Sequence, residues 1–207
     1  MKQFSFLLLA AFLFLACKNK NKFSHTEKNA DGSTTTTSVD VASLTSNADE
    51  MTKKIEALKK LTPLTLDQLK TLLPEELNGI KRTNFKANSA MWFSIAEGEY
   101  KKDDKSELKL VIYDCAGEAG SGMFAMTYWT QMNVQSENTD GYVKSVDFNG
   151  GKAVESFKKG NNESSLTYVG DDRLLIIITG RGMDMNSVKQ VAQNLSLKTI
   201  WPAKNSQ

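Results

Sequence analysis

The side chains best suited to covalent catalysis or to metal binding are few in this chain. They are Cys17, Cys115 and His25, the single histidine among 207 residues. Nucleophilic catalysis by serine or cysteine usually needs a positioned base, most often histidine, and His25 lies in a polar segment that we expect to be disordered. The sequence therefore predicts no Ser-His or Cys-His device, and no motif marks a Ser-Lys pair. One histidine and one available thiol also argue against a zinc site.

Two pairs of adjacent carboxylates are candidates for acid and base. They are Asp103 with Asp104 and Asp171 with Asp172. Both pairs fall in polar turns, where aspartate favours the backbone geometry of the turn. We therefore interpret them as turn residues, and the sequence predicts no catalytic and no cofactor-binding residue.

Asp114 is the acid whose position is of most interest, because it ends a predicted buried strand. Arg181 ends another predicted strand and stands between two glycines. If these two strand ends are neighbours, Asp114 and Arg181 could form an ion pair or bind an anionic group. The alternative is local hydrogen bonding and capping, which we favour.

A glycine-rich segment, AGEAGSG, follows Asp114 at residues 116–122 and precedes a predicted helix. A glycine loop before a helix N-terminus can bind phosphate. The spacing of Gly117, Gly120 and Gly122 is not GxGxxG, and no GK[ST] follows. We therefore interpret the segment as a tight turn between a strand and a helix.

The N-terminal segment has the pattern of an export signal. Lys2 supplies a positive charge, and residues 4–16 form an apolar run that is too short to span a bilayer, which needs about 20 residues. A small residue, Ala16, then precedes Cys17. This arrangement resembles the bacterial lipobox, which implies that residues 1–16 are a signal peptide and that Cys17 carries a diacylglycerol and acyl chains such as palmitate.

Two positions depart from the lipobox pattern. The pattern prefers leucine three residues before the cysteine and a small residue two before, and here these are Phe14 and Leu15. The alternative interpretation is an ordinary secretory signal with an incidental cysteine.

The lipobox resemblance implies a bacterial lipoprotein of the cell envelope. Several acyl chains on Cys17 would give stable membrane anchoring. Lys18, Lys20 and Lys22 could each add about 1 kcal/mol at an anionic surface, or could simply be part of a solvated linker. Because Lys18 is not the aspartate that retains some lipoproteins at the inner membrane, we expect the outer membrane, with the protein facing the periplasm.

Composition constrains the chain beyond the signal segment. Residues 17–47 are polar and Thr-rich, with too few large apolar side chains to offset the entropy of ordering, so we predict a lipidated cysteine and a flexible tether. A net charge of +2 does not indicate nucleic-acid binding. With Cys17 acylated, Cys115 has no disulfide partner, and a hydrophobic content of 40% is enough for a core without one. We predict one domain at residues 48–201 and a loose tail at 202–207.

Hydrophobic periodicity and turn signals predict the elements of this domain. Helices are predicted at residues 48–61, with Asn47 as N-cap, at 123–132, and at 185–195, with Asp184 as N-cap. A further short helix is predicted after Thr65, with Gln68 completing a capping box and Leu66 facing inward. Strands are predicted at residues 80–86, 91–100, 107–115, 142–148, 152–157, 164–169 and 173–179. This order, rather than alternation of strands and helices, favours an α+β fold. We expect a single antiparallel sheet of about six or seven strands with two or more packed helices.

The predicted helix at 123–132 is apolar around most of its circumference. Such a helix is usually buried in a core, which we favour. The alternative is a ligand pocket between the helix and the sheet. Its lining would include Trp92, Met126 and Trp129, with Asp114 and Arg181 as further candidate ligand contacts.

The order of short motifs resembles a group of uncharacterised bacterial envelope proteins. The matching segments are LTLDQLKTLLPEELNGIKR, EGEY, LKLVIYDCAGEAG, GGKAVESF and VGDDRLLIIITGRG. The resemblance implies an LP-x-x-L-x-G segment before an antiparallel sheet, and a D-x-x-G turn, here Asp114 to Gly117, that opens a helix. It implies no reaction, so it bears on architecture alone.

These observations leave two hypotheses for function. The first is a lipid-anchored, non-enzymatic binding or envelope-assembly module with a protein partner. The second is a carrier of a small molecule or lipid, with an apolar pocket between sheet and helix. A binding module should have a filled core, whereas a carrier should hold an apolar cavity.

Overall fold

The computed structural model describes residues 22–28, 34–90, 93–131 and 134–197. The chain divides into two units, Met1–Glu50 and Met51–Gln207. The predicted signal peptide, Cys17 and the predicted tail lie outside the described residues.

A two-stranded antiparallel sheet lies in the first unit, where we expected a disordered tether. Strand β1 (Lys22–Lys28) pairs with β2 (Thr34–Asp40), and His25 stands opposite Thr37. Threonine is β-branched and favours an extended backbone, and β2 begins with four threonines. The prediction of disorder depended on the shortage of large apolar side chains. That shortage does not oppose the preference of threonine for an extended backbone.

Helix α1 (Val41–Lys59) follows β2 directly and continues into the second unit. The predicted start at residue 48 is therefore wrong, and Asn47 lies inside the helix rather than at its N-cap. The threonine and serine residues before position 48 are typical of a linker, so the sequence pattern did not indicate the first turns of the helix.

Helix α2 (Leu66–Thr71) has the predicted capping box. Thr65 Oγ1 accepts a hydrogen bond from the Gln68 amide at 3.3 Å, and Gln68 Oε1 accepts one from the Thr65 amide at 2.9 Å. Leu69 is fully buried, but Leu66 is 41% exposed, so the prediction that Leu66 faces inward is wrong.

In the described residues, nine strands form one open sheet in which all neighbouring strands are antiparallel. The strands are β3 (Glu76–Leu77), β4 (Ile80–Ala90), β5 (Phe93–Lys101), β6 (Glu107–Asp114), β7 (Gln135–Asn138), β8 (Gly141–Phe148), β9 (Gly151–Lys158), β10 (Glu163–Gly170) and β11 (Leu174–Arg181). Their order is β3-β4-β5-β6-β11-β10-β9-β8-β7.

The α+β class and the single antiparallel sheet are confirmed, but the predicted number of strands is too low. The seven predicted strands correspond to β4, β5, β6, β8, β9, β10 and β11. The two additional strands, β3 and β7, have two and four residues. Strands this short carry no measurable alternation of apolar and polar side chains.

The main core lies between one face of the sheet and the helices α2 and α4 (Met185–Asn194). Asp184 caps α4 as predicted, and Val188, Val191 and Ala192 are buried beneath it. The sheet contributes fully buried side chains from its central strands, among them Tyr100, Leu110, Ile112, Leu166 and Ile178.

Helix α3 (Gly117–Gln131) connects β6, in the middle of the sheet, to β7 at its edge. A second cluster on the other face of the sheet contains Phe124 of α3, Leu58 of α1 and Leu175 of β11. The helix starts at Gly117 rather than at the predicted Met123, so most of the glycine-rich segment is its first turns.

Gly120 allows α3 to pack closely on the end of β6. A Cβ atom at this position would lie 2.6 Å from the backbone carbonyl carbon of Cys115 and 2.8 Å from the carbonyl oxygen of Asp114. A Cβ atom at Gly122, two residues later, would have no other atom within 4 Å. The glycines of this segment therefore differ in what they do, and Gly120 is required for packing.

We expect Gly120→Ala to destabilise the domain by about 1–3 kcal/mol, because the added methyl group must displace backbone in a packed region. The matched variant Gly122→Ala should instead stabilise it by about 0.5–1 kcal/mol, because alanine is the better helix former. Urea unfolding of both variants and the wild type measures the difference. Equal effects at the two positions would contradict this account of α3 packing.

Candidate binding cleft

The candidate site is an open cleft of about 360 Å³ beside α4. It is lined by Asn78, Gly79, Ile80, Lys102, Ser106, Gly182, Met183, Asp184, Ser187, Gln190 and Val191. Its volume falls within the range of about 300–1,000 Å³ that is usual for ligand sites. None of the residues singled out from the sequence as pocket lining is among them.

One wall of the cleft is the turn between β3 and β4. Asn78 and Gly79 have φ angles of 50° and 81°, the left-handed conformation that a two-residue hairpin turn requires. Asn194, at the end of α4, donates from Nδ2 to Asn78 Oδ1 at 2.9 Å. This contact fixes the turn against the helix.

The second wall is the turn between β5 and β6. Asp103 Oδ1 accepts hydrogen bonds from the amides of Lys105 at 2.8 Å and Ser106 at 2.7 Å. These two bonds lower the pKa of Asp103. The carboxylate therefore orders the turn that presents Lys102 and Ser106 to the cleft, as the sequence interpretation of Asp103 expected.

Gly182 joins the second wall to the base of α4. Its φ is 67°, and a Cβ atom there would overlap the carbonyl oxygen of Lys105. Only glycine allows this approach. Asp184 then begins α4, where its Oδ1 accepts from the Ser187 amide at 2.8 Å, and this bond lowers the pKa of Asp184.

The cleft combines an apolar floor with a polar rim. Ile80 and Val191 are buried and form the floor, whereas Lys102, Ser106 and Gln190 offer donors and acceptors at the rim. None of the described residues that line it is a histidine or a cysteine. This arrangement can bind a small polar ligand or a polar side chain, and it offers no nucleophile with a positioned base.

Asp114, the acid of interest, lies buried at the end of β6 and pairs with Arg173. Asp114 Oδ1 accepts from Arg173 Nε at 2.7 Å, and Oδ2 accepts from Arg173 Nη2 at 2.9 Å. The two side chains are 0% and 7% exposed. Such a two-point arginine–carboxylate pair is both strong and specific in geometry.

The Asp114–Arg173 pair also binds the chain between α1 and α2. Asp114 Oδ2 accepts from the Leu64 amide at 2.7 Å, and Arg173 Nη2 donates to the Thr62 carbonyl at 2.8 Å. The Cys115 amide donates to the Arg173 carbonyl at 3.0 Å. The lone pairs of the carboxylate are therefore occupied by protein donors, and Asp114 has a structural role in this arrangement.

Arg181 does not meet Asp114. In the antiparallel pair of β6 and β11, Leu174 stands opposite Asp114 and Arg181 stands opposite Glu107, at the other end of both strands. Arg181 Nη1 lies 3.6 Å from Glu107 Oε2 in an exposed ion pair. The condition for a pair between Asp114 and Arg181, that these two strand ends are neighbours, is therefore not met. Asp114 Oδ1 also accepts from the Ala116 amide at 3.2 Å, which is the local hydrogen bonding that we favoured for Asp114.

Met126 of α3 is 75% exposed to solvent. The favoured interpretation, that the helix is buried on most of its circumference, is therefore wrong at Met126, and Met126 does not line the alternative pocket between α3 and the sheet. Trp92 and the side chain of Trp129 lie outside the described residues.

Cys115 is fully buried next to the Asp114–Arg173 pair. Burial raises its pKa to about 12, so the thiol stays protonated at neutral pH. A protonated, inaccessible thiol is neither a nucleophile nor a metal ligand. Among the described residues, no group of three or more histidine, cysteine, aspartate or glutamate side chains could hold a metal ion.

A second buried carboxylate, Glu155 of β9, attaches α4 to the sheet. Its side chain is 3% exposed, with Lys144 Nζ of β8 at 2.9 Å from Oε1 and Lys189 Nζ of α4 at 2.5 Å from Oε2. The contact to Oε2 is an ion pair without the angles of a hydrogen bond. Burial by itself would raise the pKa of Glu155, but the two ammonium groups outweigh it and the pKa is lowered.

Comparison of the chain with protein-family models, with curated proteins and with solved structures found no match. None of the helices in the described residues is long and apolar enough to cross a membrane.

Sequence reasoning missed both Arg173 and the cleft. Arg173 is the first residue of a predicted strand, and nothing local distinguishes it from the other cations as the partner of Asp114. The cleft had one local signal, the Asn78-Gly79 dipeptide, which is typical of a hairpin turn. Its other residues come together only through the sheet and the position of α4.

We expect Asp114→Asn to destabilise the domain by about 3–5 kcal/mol, because it leaves the buried Arg173 guanidinium without a counter-charge. The control is Asp147→Asn, which removes the partner of Lys152 in an exposed pair at 2.6 Å and should cost less than about 1 kcal/mol. Urea unfolding measures both. A cost for Asp114→Asn no larger than that of the control would refute the structural role of the pair.

Glu155→Gln should lower the free energy of unfolding by about 2 kcal/mol at neutral pH, since the lost contacts are charge-assisted. Because the folded pKa of Glu155 lies below its ordinary value of 4.5, its contribution is complete above that value and is lost as the pH falls through the folded pKa. Urea unfolding from pH 7 to pH 3 should show the gap between wild type and variant closing at the acid end. A gap that stays constant would exclude this assignment.

Proposed function

We propose that the protein is a lipid-anchored envelope protein that acts as a non-enzymatic binding module. The observation that carries the binding-module part is the filled layer between the sheet and the helices α2 and α4. Side chains with 0–2% exposure come from both sides of this layer, among them Leu69, Leu110, Leu166, Val188 and Ala192. A carrier would need an apolar cavity between the sheet and a helix. On the α3 face, where the carrier's pocket was expected, Phe124, Leu58 and Leu175 are also buried and pack together.

The polar cleft beside α4 supports the same proposal. It is open to solvent, and it has an apolar floor, a lysine, an aspartate and several neutral hydrogen-bonding groups. These groups suit recognition of a polar ligand or of a segment of a protein partner. They include no arrangement for bond-breaking chemistry, which favours binding over catalysis.

The anchoring part of the proposal depends on the sequence. The apolar run that ends in Ala16 and Cys17 supports export and acylation, and the outer membrane facing the periplasm is the proposed location. The alternative function, a carrier of a small molecule or lipid, finds no support in Met126, which is one of its predicted lining residues and is exposed.

Mass spectrometry of the full chain, extracted from membranes in mild detergent, tests both parts of the proposal at once. We expect a mature chain that begins at Cys17 and keeps the mass of its acyl chains after denaturation. We also expect no further mass to be lost on denaturation, because a binding module with a filled core holds no lipid. Cys17→Ala is the control and should leave the membrane fraction without an acyl mass.

The two parts of the proposal fail separately in this experiment. An unmodified Cys17, or unchanged membrane fractionation of Cys17→Ala, would defeat the anchor. A lipid or other apolar molecule that is released on denaturation from stoichiometric complexes would defeat the binding module and favour the carrier.

A further inference from the structure

Within the part of the chain that the structure describes, the outer edge of β4 is largely unpaired. Strand β3 pairs with β4 only through Lys81 and Ile80, and the Arg82 amide donates to the Glu75 carbonyl at 2.8 Å. Among the described strands, none pairs with β4 beyond that point on this side. We name residues 83–90 the open edge. At about 3.3 Å per residue it is about 26 Å long.

The opposite edge of the sheet differs. There β7 covers β8 from Gln135 opposite Lys144 to Asn138 opposite Gly141, and the Ser145 amide donates to the Val134 carbonyl at 2.7 Å. Proteins usually shorten, twist or cover the edges of their sheets, because unpaired backbone groups bind other strands. A long uncovered edge therefore indicates a place where a strand is added.

An exposed aromatic residue stands on the open edge. Phe85 is 49% exposed, and the Arg82 guanidinium lies 5.0 Å from the centroid of its ring. Arg82 is itself fixed, because its Nη1 donates to the Leu73 carbonyl at 2.6 Å. The ring is thus held in place while half of its surface faces solvent.

The positive charge of β4 indicates which class of partner strand would bind at the open edge. Strand β4 contains Lys81, Arg82 and Lys86 and no carboxylate. Within the described residues Lys86 makes no ion pair, since Glu97, its neighbour across the ladder, pairs with Lys109 at 2.8 Å. Lys86 is the one charged residue of the open edge, since Lys81 and Arg82 precede it. A second copy of β4 paired about Lys86 would place two lysines opposite each other, whereas an acidic residue of a partner strand would complement Lys86.

We infer that the open edge of β4 binds an extended segment of a partner protein by β-strand addition, with an acidic side chain opposite Lys86 and an apolar side chain opposite Phe85. Phe85 and Lys86 are adjacent, so they point to opposite faces of the sheet, and residues opposite each other in a ladder share a face. The partner segment therefore has an acidic residue next to an apolar residue, with the two side chains on opposite faces. This inference deepens the proposed function by naming the class of partner, and it rests on the protein being a binding module.

The probe is a seven-residue peptide of alternating glutamate and valine with blocked ends and a fluorescent label. It is titrated into the full chain in detergent micelles, and binding is followed by anisotropy. Lys86→Glu should weaken binding about tenfold, because an attractive pair becomes a repulsive one. A peptide with lysine in place of glutamate should show the reverse preference. Lys159→Glu, on the exposed turn between β9 and β10, is the matched charge control and should leave the affinity unchanged.

Two proline variants test whether the backbone carries the interaction. Amide groups of adjacent residues in a strand point to opposite sides, so Ala87→Pro and Asn88→Pro remove one outward and one inward amide. The variant that loses the amide bonded to β5 should be less stable in urea. The variant that keeps its stability has lost an outward amide, and it should bind the peptide at least about fivefold more weakly.

Three results would overturn the inference. The first is that the acidic peptide does not bind at its highest soluble concentration. The second is that the peptide binds the stable proline variant as tightly as it binds wild type. The third is that the chain forms dimers that the stable proline variant abolishes. The last result would assign the edge to a second copy of the chain. Mass spectrometry of the acylated chain is unaffected by any of these, so failure at the edge and failure of the proposed function are distinguishable.

Discussion

The buried ion pair between Asp114 and Arg173 is the interaction on which the rest of the domain depends. It joins three segments that are distant in sequence: the end of β6, the turn before β11, and the link between α1 and α2. Each ion would cost several kcal/mol if it were buried alone. The three segments are therefore stable only together, and the pair fixes the register of β6 against β11 in the middle of the sheet.

That central register joins two meanders into one sheet. The first runs from β3 to β6 and the second from β7 to β11, and β6 and β11 pair along eight residues each. Helix α2 packs on the first meander and α4 on the second, and both fill the same face. Glu155 then holds α4 through Lys189, so a buried carboxylate positions the helix that lines the cleft.

The sequence predicted what local chemistry determines. The capping box at Thr65, the cap at Asp184 and the seven longer strands each depend on a few neighbouring residues, and each is present. The partner of Asp114 depends instead on strand direction. Antiparallel pairing brings residue 174, and with it the Arg173 turn, to Asp114, and takes Arg181 to the far end. No spacing in the sequence contains that information, and the cleft was missed for the same reason.

The open edge of β4 and the cleft have a common cause in the shortness of β3. The chain cannot continue β3 backward along β4, because Pro74 has no amide to donate and its carbonyl is bound by Tyr100 Oη at 2.8 Å. That tyrosine is buried in the core, and burial raises its pKa to about 12. At the other end, the Asn78-Gly79 turn stops β3 and forms a wall of the cleft. The residues on either side of β3 therefore leave one edge of the described sheet unpaired and place a polar cleft near the start of that edge. Both surfaces that are available for binding thus follow from the shortness of β3.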